Sequence, residues 1–312
     1  MSQAHAAADA IAEAPLRLLL VHAHPDDETI NCGATMAMYA AQGVAVTLVT
    51  CTLGDEGEIL VPSVAHLAAG RDDRLGEYRH GELDAAMTAL GITDVRLLGG
   101  AGRWRDSGMA GSPANDNPDC FMRASMETSA DLISGDHARG SSAVVQLAQV
   151  LLDVRPQVVV TYDSNGGYGH PDHIKAHDVT HAAVTAVRDQ WSVSKVYACA
   201  RRRVVEEQDR HELARLGDAA PFAVGSDDFD WAVEDSAITT AIDASAFSAH
   251  KQAAMRAHAT QVAVSADGDW YSLSDGIGAR LHGVEYFTCV VGEAAGATDA
   301  DGFETDLFAG IR

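Results

Sequence analysis

Basic residues are scarce in this chain. Its 312 residues include 22 Lys and Arg against 45 Asp and Glu, so the formal net charge is −23. A surface of that sign repels the phosphates of nucleic acids and anionic lipid headgroups, which argues against nucleic acid or a membrane as a partner. A neutral or cationic small molecule fits the charge better, and no obligate protein partner is indicated.

Cysteine is also sparse, and the chain has no CxxC pair. An odd number of scattered cysteines does not suit a disulfide framework, nor a structural zinc or iron–sulfur site built from cysteines. We therefore expect reduced, mostly buried thiols in a cytoplasmic protein. The cysteines are Cys32, Cys51, Cys120, Cys199 and Cys289.

Long apolar runs are missing as well. No stretch approaches the roughly 18 apolar residues that a membrane-spanning helix needs. Residues 1–15 are rich in alanine and contain no Lys or Arg, so they lack the positive start and apolar centre of a signal peptide. We expect residues 1–15 to form a flexible extension and residues 16–312 to form a single functional domain.

Short apolar runs do occur, and they alternate with longer segments of helical spacing. Near-continuous apolar strands separated by helices predict an α/β fold, an open parallel sheet of Rossmann-like type with helices on both faces. This catalytic core spans 16–200, and a smaller C-terminal α+β portion, 201–312, packs on it. Strands are predicted at 18–22, 44–52, 95–99, 157–163, 194–200 and 283–291, and helices at 31–42, 66–90, 141–155, 171–190, 201–220 and 245–258. The long polar stretch 99–139 between strand and helix is expected to be functional or partly ordered.

Polar clusters follow the ends of the predicted strands. "HAHPDDE" (22–28) follows the first strand and "YDSNGGYGHPDH" (162–173) follows the fourth. In open α/β sheets, ligands bind at this carboxyl edge, in the crevice where the strand order reverses. If the order is 3-2-1-4-5, the first and fourth strands flank that crevice and the two clusters face each other.

The two clusters together offer ligands for a divalent cation. His24 and Asp27 are three residues apart, and His170 and His173 repeat this spacing at the start of a predicted helix. Two histidines and one carboxylate with an open position make a catalytic metal site. The positive charge would offset the adjacent carboxylates at 26–28, and one of them is left over to act as a general base.

Simpler explanations exist for each cluster alone. Acidic residues and proline are favoured in the first turn of any helix, and paired histidines at this spacing arise by chance. Capping alone does not readily explain two clusters containing His-Pro-Asp at adjacent strand ends. His22 lies two residues before His24 on the same strand face, and periodicity does not separate the two as ligands.

The segments "AHPDDE" and "GHPDH" resemble the LmbE/PIG-L family of metal-dependent N-acetylglucosaminyl deacetylases. The likeness continues through "VTCTLGDEGE", "VVVTYDSNGGYGHPDH" and the closing "ETDLFAGIR". It is greatest to the branch of the family that serves mycothiol biosynthesis. The resemblance implies hydrolysis of the N-acetyl group of a glucosaminyl-inositol substrate, with release of acetate.

The resemblance also implies the metal ligands and the base. His24, Asp27 and His173 match the family's ligands for one divalent metal, with Zn²⁺ as the default for hydrolysis and Fe²⁺ as a possible substitute. Asp26 matches the general base that takes a proton from the attacking water.

Further side chains match the residues that handle the substrate. His170 matches an acid or oxyanion stabiliser, and Tyr168 matches the tyrosine that assists it. Asp172 is predicted either to orient a liganding imidazole without binding the metal itself, or simply to be a carboxylate at the start of a helix. The positions that match sugar- and inositol-binding residues are Glu58, Arg79 and Asp106.

Three other functions compete with deacetylation. A mycothiol S-conjugate amidase of the same superfamily uses the same chemistry, but that type tends to have a lysine after the acidic run and proline where this chain has Gly169. A non-haem iron oxygenase uses a similar ligand set, but the sequence has no double-stranded β-helix pattern. A carbohydrate-binding protein would bind the sugar without turnover.

Overall fold

The apolar runs form the strands of one large sheet and one small sheet. The computed structural model describes residues 15–128 and 142–311, and within them a seven-stranded and a three-stranded sheet are present. The strands are β1 (Arg17–His22), β2 (Ala45–Thr50), β3 (Asp94–Leu97), β4 (Val158–Thr161), β5 (Lys195–Ala200), β6 (Thr240–Asp243), β7 (Ala263–Val264), β8 (Trp270–Ser272), β9 (Gly278–Arg280) and β10 (Val284–Val291).

The large sheet has the order β3-β2-β1-β4-β5-β10-β6. The first five strands are parallel, which confirms the predicted order and the Rossmann-like α/β class. Strand β10 is antiparallel to both β5 and β6, so the C-terminal part of the chain extends the same sheet. The order reverses between β1 and β4, and a crevice therefore opens at their carboxyl ends.

Helices cover both faces of this sheet. They are α1 (Asp27–Ala41), α2 (Leu75–Leu90), α3 (Ala143–Val154), α4 (Pro171–Val187), α5 (Arg203–Arg215) and α6 (Ser248–Ala257). Alternate residues of β1 enter opposite apolar layers: Leu18 and Leu20 pack with α1, α2 and α6, whereas Leu19 and Val21 pack with α3 and α4. A strand buried on both sides is continuously apolar for this reason.

Two predicted helices begin elsewhere than expected. Helix α1 starts at Asp27 because the acidic run itself forms the first turn. Helix α2 starts only at Leu75, since a 3₁₀ turn ends at Leu67 and the positive φ of 53° at Asp73 interrupts the predicted helix. The small sheet of β7, β8 and β9 was not predicted.

Parts of four predicted segments fall outside the described residues. These are 1–14 of the N-terminal extension, 129–139 of the long polar stretch, residue 141 of the predicted helix 141–155 and residue 312 of the C-terminal portion. The described part of the long polar stretch holds two 3₁₀ turns, Pro113–Asp116 and Phe121–Arg123. None of the helices within the described ranges has the length and apolar character that crossing a bilayer demands.

Candidate active site

The two polar clusters meet at the crevice between β1 and β4. Asp27 is the first residue of α1, and His173 lies in the first turn of α4. The Oδ2 atom of Asp27 lies 3.2 Å from Nδ1 of His24 and 3.3 Å from Nε2 of His173. The structure therefore brings the three predicted metal ligands together, and all three are buried.

Neighbouring groups hold these side chains in place. Nδ1 of His173 lies 3.1 Å from the carbonyl oxygen of Gly166, which turns Nε2 towards Asp27. A Cβ at Gly166 would lie 2.6 Å from Cβ of His173, so this close approach requires glycine. The hydroxyl of Tyr162 donates to Oδ2 of Asp27 at 2.7 Å and accepts from the backbone N–H of Ala23 at 2.8 Å.

Carboxylates surround the imidazole of His24. Its Nε2 lies 3.3 Å from Asp172 and 3.4 Å from Asp106, while Nδ1 faces Asp27. Burial lowers the pKa of His24, but these three carboxylates outweigh burial and raise it well above its usual value. Burial similarly favours a protonated Asp27, yet His173 and His24 hold its pKa well below the ordinary range. The surroundings thus favour positive charge at this point.

The residues present fit a divalent cation. Nε2 of His173 is buried and makes no hydrogen bond, although it faces Asp27. An unsatisfied buried nitrogen aimed at a carboxylate and a second imidazole is the arrangement that a metal ion completes. Two imidazoles and one carboxylate are also the donor set of many catalytic zinc sites. Among the described residues, His24, His170 and His173 form one group with metal-ligand spacing, and His24, Asp106 and Asp172 form another.

Asp26 lies beside this cluster in an unusual backbone conformation. It caps α1 with a φ of 108°, and its N–H donates to Oε2 of Glu28 at 3.1 Å. Its Oδ2 accepts from Arg79 at 3.2 Å. Burial raises the pKa of Asp26 to about 6, against the opposing charge of Arg79. A buried carboxylate with an elevated pKa suits a general base.

His170 and Tyr168 lie on the outer side of the cluster. Nδ1 of His170 accepts the backbone N–H of Asp172 at 3.1 Å, so the neutral ring carries its proton on Nε2. Burial, reinforced by His24 and His173, lowers the pKa of His170 to about 3. The Tyr168 ring lies 5.1 Å from the ring of His173, and the residue is 54% exposed, although burial of its hydroxyl raises the pKa of Tyr168 well above its usual value.

The three predicted substrate-binding residues differ in how open they are. Glu58 is exposed. Arg79 is buried and donates to the carbonyl oxygens of Gly54 and Pro25. Asp106 is buried beside His24 and accepts from the N–H of Gly108 at 2.7 Å. Only Glu58 of the three is free of such protein contacts in the described part of the chain, and the binding roles remain predictions.

Two supporting contacts escaped the sequence analysis. His258 lies with Nε2 3.0 Å from Oε1 of Glu28, and both side chains have zero exposure. The partners are 230 positions apart, so no local pattern could have paired them. Ser107 donates to both carboxylate oxygens of Asp172, which lies 65 positions away, through its hydroxyl and its N–H.

Fold and site together define a class of protein. An open α/β sheet presents two buried histidines and two buried carboxylates at its carboxyl edge, the side chains that a metal-assisted hydrolase uses to bind its metal and to take a proton from water. The family model described as "PIG-L: GlcNAc-PI de-N-acetylase" matches residues 19–184. The chain belongs to the PIG-L family, as its sequence motifs predict.

Relatives within the family are similar over nearly the whole chain. A protein of Geodermatophilus obscurus is 52% identical over 306 residues, covering 95% of this chain and 98% of the relative. One of Acidothermus cellulolyticus is 55% identical over 297 residues, covering 94% of each. Both are named 1D-myo-inositol 2-acetamido-2-deoxy-alpha-D-glucopyranoside deacetylase.

A solved structure supports the fold alone. The crystal structure of GalB, the 4-carboxy-2-hydroxymuconate hydratase of Pseudomonas putida KT2440, covers 91% of this chain and 100% of its own, with a TM-score of 0.52 and 18% identity. Since that protein is named a hydratase, the shared architecture does not by itself fix the reaction.

Proposed function

We propose that the protein hydrolyses the N-acetyl group of 1-O-(2-acetamido-2-deoxy-glucopyranosyl)-myo-inositol, giving glucosaminyl-inositol and acetate in mycothiol biosynthesis. The observation that carries this proposal is the convergence of His24, Asp27 and His173 beside the buried carboxylate of Asp26. The names of relatives about half identical over nearly the full chain support the substrate.

One divalent metal completes the site. His24 Nδ1, Asp27 Oδ2 and His173 Nε2 are the atoms that hold it, and zinc is the proposed ion, with ferrous iron as the alternative. When bound, such a cation polarises an amide carbonyl and lowers the pKa of water towards about 7. Metal analysis after anaerobic purification tests the identity of the ion.

Asp26 supplies the base. Its carboxylate is buried and fixed by Arg79 on one oxygen, so the side chain cannot rotate freely away from the crevice. It takes the proton of the attacking water, and the neutral acid then returns a proton to the amine nitrogen as the C–N bond breaks.

His170 and Tyr168 serve the developing oxyanion. Because Nδ1 of His170 accepts from the backbone, its Nε2–H is the donor available to an oxygen in the crevice. Donating that hydrogen bond stabilises negative charge without giving up the ring's only proton. The hydroxyl of Tyr168 provides a second donor, since burial raises its pKa and keeps it protonated.

Release of the free amine decides between deacetylase and amidase, because hydrolysis of either amide leaves glucosaminyl-inositol. The protein is incubated with N-acetylglucosaminyl-inositol and, separately, with a mycothiol S-conjugate, and kcat/KM is compared. The proposal expects preference for the first substrate, and preference for the conjugate overturns it. Running the assay without oxygen addresses the oxygenase alternative, because hydrolysis continues unchanged under those conditions. Binding without any acetate release favours a carbohydrate-binding protein.

A further inference from the structure

We propose that His22, Cys32 and Cys199 form a second metal site, which binds one Zn²⁺ and is separate from the centre at His24. The ligand atoms of the three residues lie within 4.8 Å of one another, and the two sulfur atoms are 3.4 Å apart. His22 belongs to this cluster and not to either group that contains His24, as far as the described residues go. The inference does not depend on the deacetylase reaction.

Three separate elements bring these side chains to one face of the sheet. His22 is the last residue of β1 and follows Leu20 on the face covered by α1. Cys32 lies within α1, and Cys199 lies on β5 and packs against the same apolar layer. The cysteines are 167 positions apart in sequence, so their spacing gave no sign of a shared site.

The state of His22 points to a ligand. Its side chain has zero exposure, and neither ring nitrogen has a hydrogen-bond partner. A hydrogen bond between the thiols gives Cys32 and Cys199 a partner, but the buried imidazole of His22 remains without one. Unpaired buried nitrogens are uncommon because each loses its hydration without replacement, and coordination of a metal removes that cost.

The geometry and charge fit zinc. Zinc–sulfur bonds of about 2.3 Å in a tetrahedron place two sulfurs about 3.8 Å apart, close to the observed separation. Binding displaces the two thiol protons to solvent, and two thiolates then neutralise one dication, which suits a buried site. A monovalent copper ion would leave a net negative charge there. The cluster contains no further His, Cys, Asp or Glu within the described ranges. A water molecule therefore takes the fourth coordination position of the zinc ion, from the side of half-buried Cys199.

Cobalt substitution tests this site directly. Metal-free protein is titrated with Co²⁺, and the near-ultraviolet spectrum is followed for sulfur-to-cobalt charge-transfer bands. The catalytic centre has only nitrogen and oxygen ligands, so such bands report the second site alone. We expect the bands to stop growing by the addition of two Co²⁺ per chain, when both sites are filled, and total zinc to reach two per chain.

Two variants make the assignment specific. Cys199→Ser is expected to abolish the bands and reduce bound zinc from two to one per chain, while Cys289→Ser, which changes another half-buried cysteine on a neighbouring strand, keeps both values. The titration of the unaltered protein guards against a variant that fails to fold. Absence of the bands in the unaltered protein, or equal zinc content in the two variants, overturns the proposal.

Discussion

Asp26 combines a backbone conformation and a side-chain environment that rarely occur together. Its φ of 108° is one that residues with a Cβ seldom adopt, and strain of this kind concentrates at functional sites. The N–H bond to Glu28 and the contacts of Arg79 hold the residue in place. The surrounding structure therefore stabilises a position that the isolated chain would avoid.

Replacing this carboxylate tests its role as the base. Asp26→Asn keeps the size of the side chain but removes the proton acceptor, so kcat is expected to fall by about 10² to 10⁴, while metal content stays the same. Steady-state acetate release with parallel metal analysis measures both. Asp84→Asn, at an exposed position of α2, serves as the control. Unchanged turnover in Asp26→Asn contradicts the assignment.

His258 is expected to make stability depend on pH. Glu28, with a smaller effect from Asp26, outweighs burial and nearby Arg79 and raises the pKa of His258 above 6.5. A raised pKa means that the folded state binds the proton more tightly, so this stabilisation is complete below pH 6.5 and is lost as pH rises through the folded pKa.

The variant His258→Gln measures that contribution. Removing one partner of a buried pair costs about 3–5 kcal/mol, and the loss relative to the unaltered protein is expected to be larger at pH 6 than at pH 9. Urea denaturation at several pH values gives the free energies of unfolding. A difference that is constant or grows towards pH 9 rules out this linkage.

At the scale of elements, the side chain of Arg79 joins α2 to the segments that follow β1 and β2. Arg79 donates to Gly54 after β2 and to Pro25 and Asp26 after β1. These contacts connect a helix to the ends of two adjacent strands. The guanidinium thus shapes the crevice whether or not it also reaches the substrate.

Arg79→Gln separates these roles. Loss of charged hydrogen bonds is expected to lower the free energy of unfolding by about 2–4 kcal/mol and to reduce kcat as Asp26 loses its support. Arg74→Gln, which removes only an exposed ion pair with Glu77, is the matched control and should have little effect. A rise in KM with unaltered stability and kcat shows a role confined to binding.

Most elements of the sheet could be predicted because short apolar runs and terminating residues within each segment indicate its structure. Strand β1 is apolar and buried from Leu18 to Val21, and Gly91 ends α2 in a left-handed conformation, as the sequence indicates. The paired strands β7 and β8 were missed because two or three residues carry no period. A strand was predicted at 283–291, but its antiparallel pairing with β5 was not, since pairing between distant strands leaves no local pattern.

The candidate site likewise has a part that the sequence could predict and a part that it could not. The meeting of the clusters at 22–28 and 162–173 could be predicted because each cluster follows a strand, and the strand order places those ends side by side. The choice of His24, Asp27 and His173 as ligands follows from the family resemblance and stays a prediction. Supporting contacts such as that of His258 with Glu28 come from elements whose position depends on tertiary packing. The spacing of the sequence did not distinguish His22 from His24 as a metal ligand, whereas the fold places His22 on the face of the sheet that α1 covers.

At the scale of the whole molecule, the C-terminal residues close the core. Leu307 and Phe308 are fully buried, and the hydroxyl of Tyr39 on α1 accepts the N–H of Leu307 at 2.8 Å. The buried Lys195–Glu304 pair joins β5 to the same segment. We propose on this basis that residues 16–312 form a single functional domain.

Truncating a side chain in that segment tests the proposal. Phe308→Ala is expected to lower the free energy of unfolding by about 3–5 kcal/mol because it leaves a cavity in the main apolar layer. Leu216→Ala, at an exposed position, is the control. Denaturant unfolding followed by fluorescence and circular dichroism should remain one transition. Two separated transitions, with only one shifted by Phe308→Ala, show independent domains.

His24, Asp27 and His173 are proposed to share one cation that deacetylation requires. The rate of acetate release from N-acetylglucosaminyl-inositol is measured for protein stripped with a chelator, as Zn²⁺ or Fe²⁺ is restored in steps. We expect almost no release from the stripped protein, recovery that saturates with added metal, and none in His173→Ala. Full activity of the metal-free protein, or of His173→Ala, rules out a shared catalytic cation at these residues.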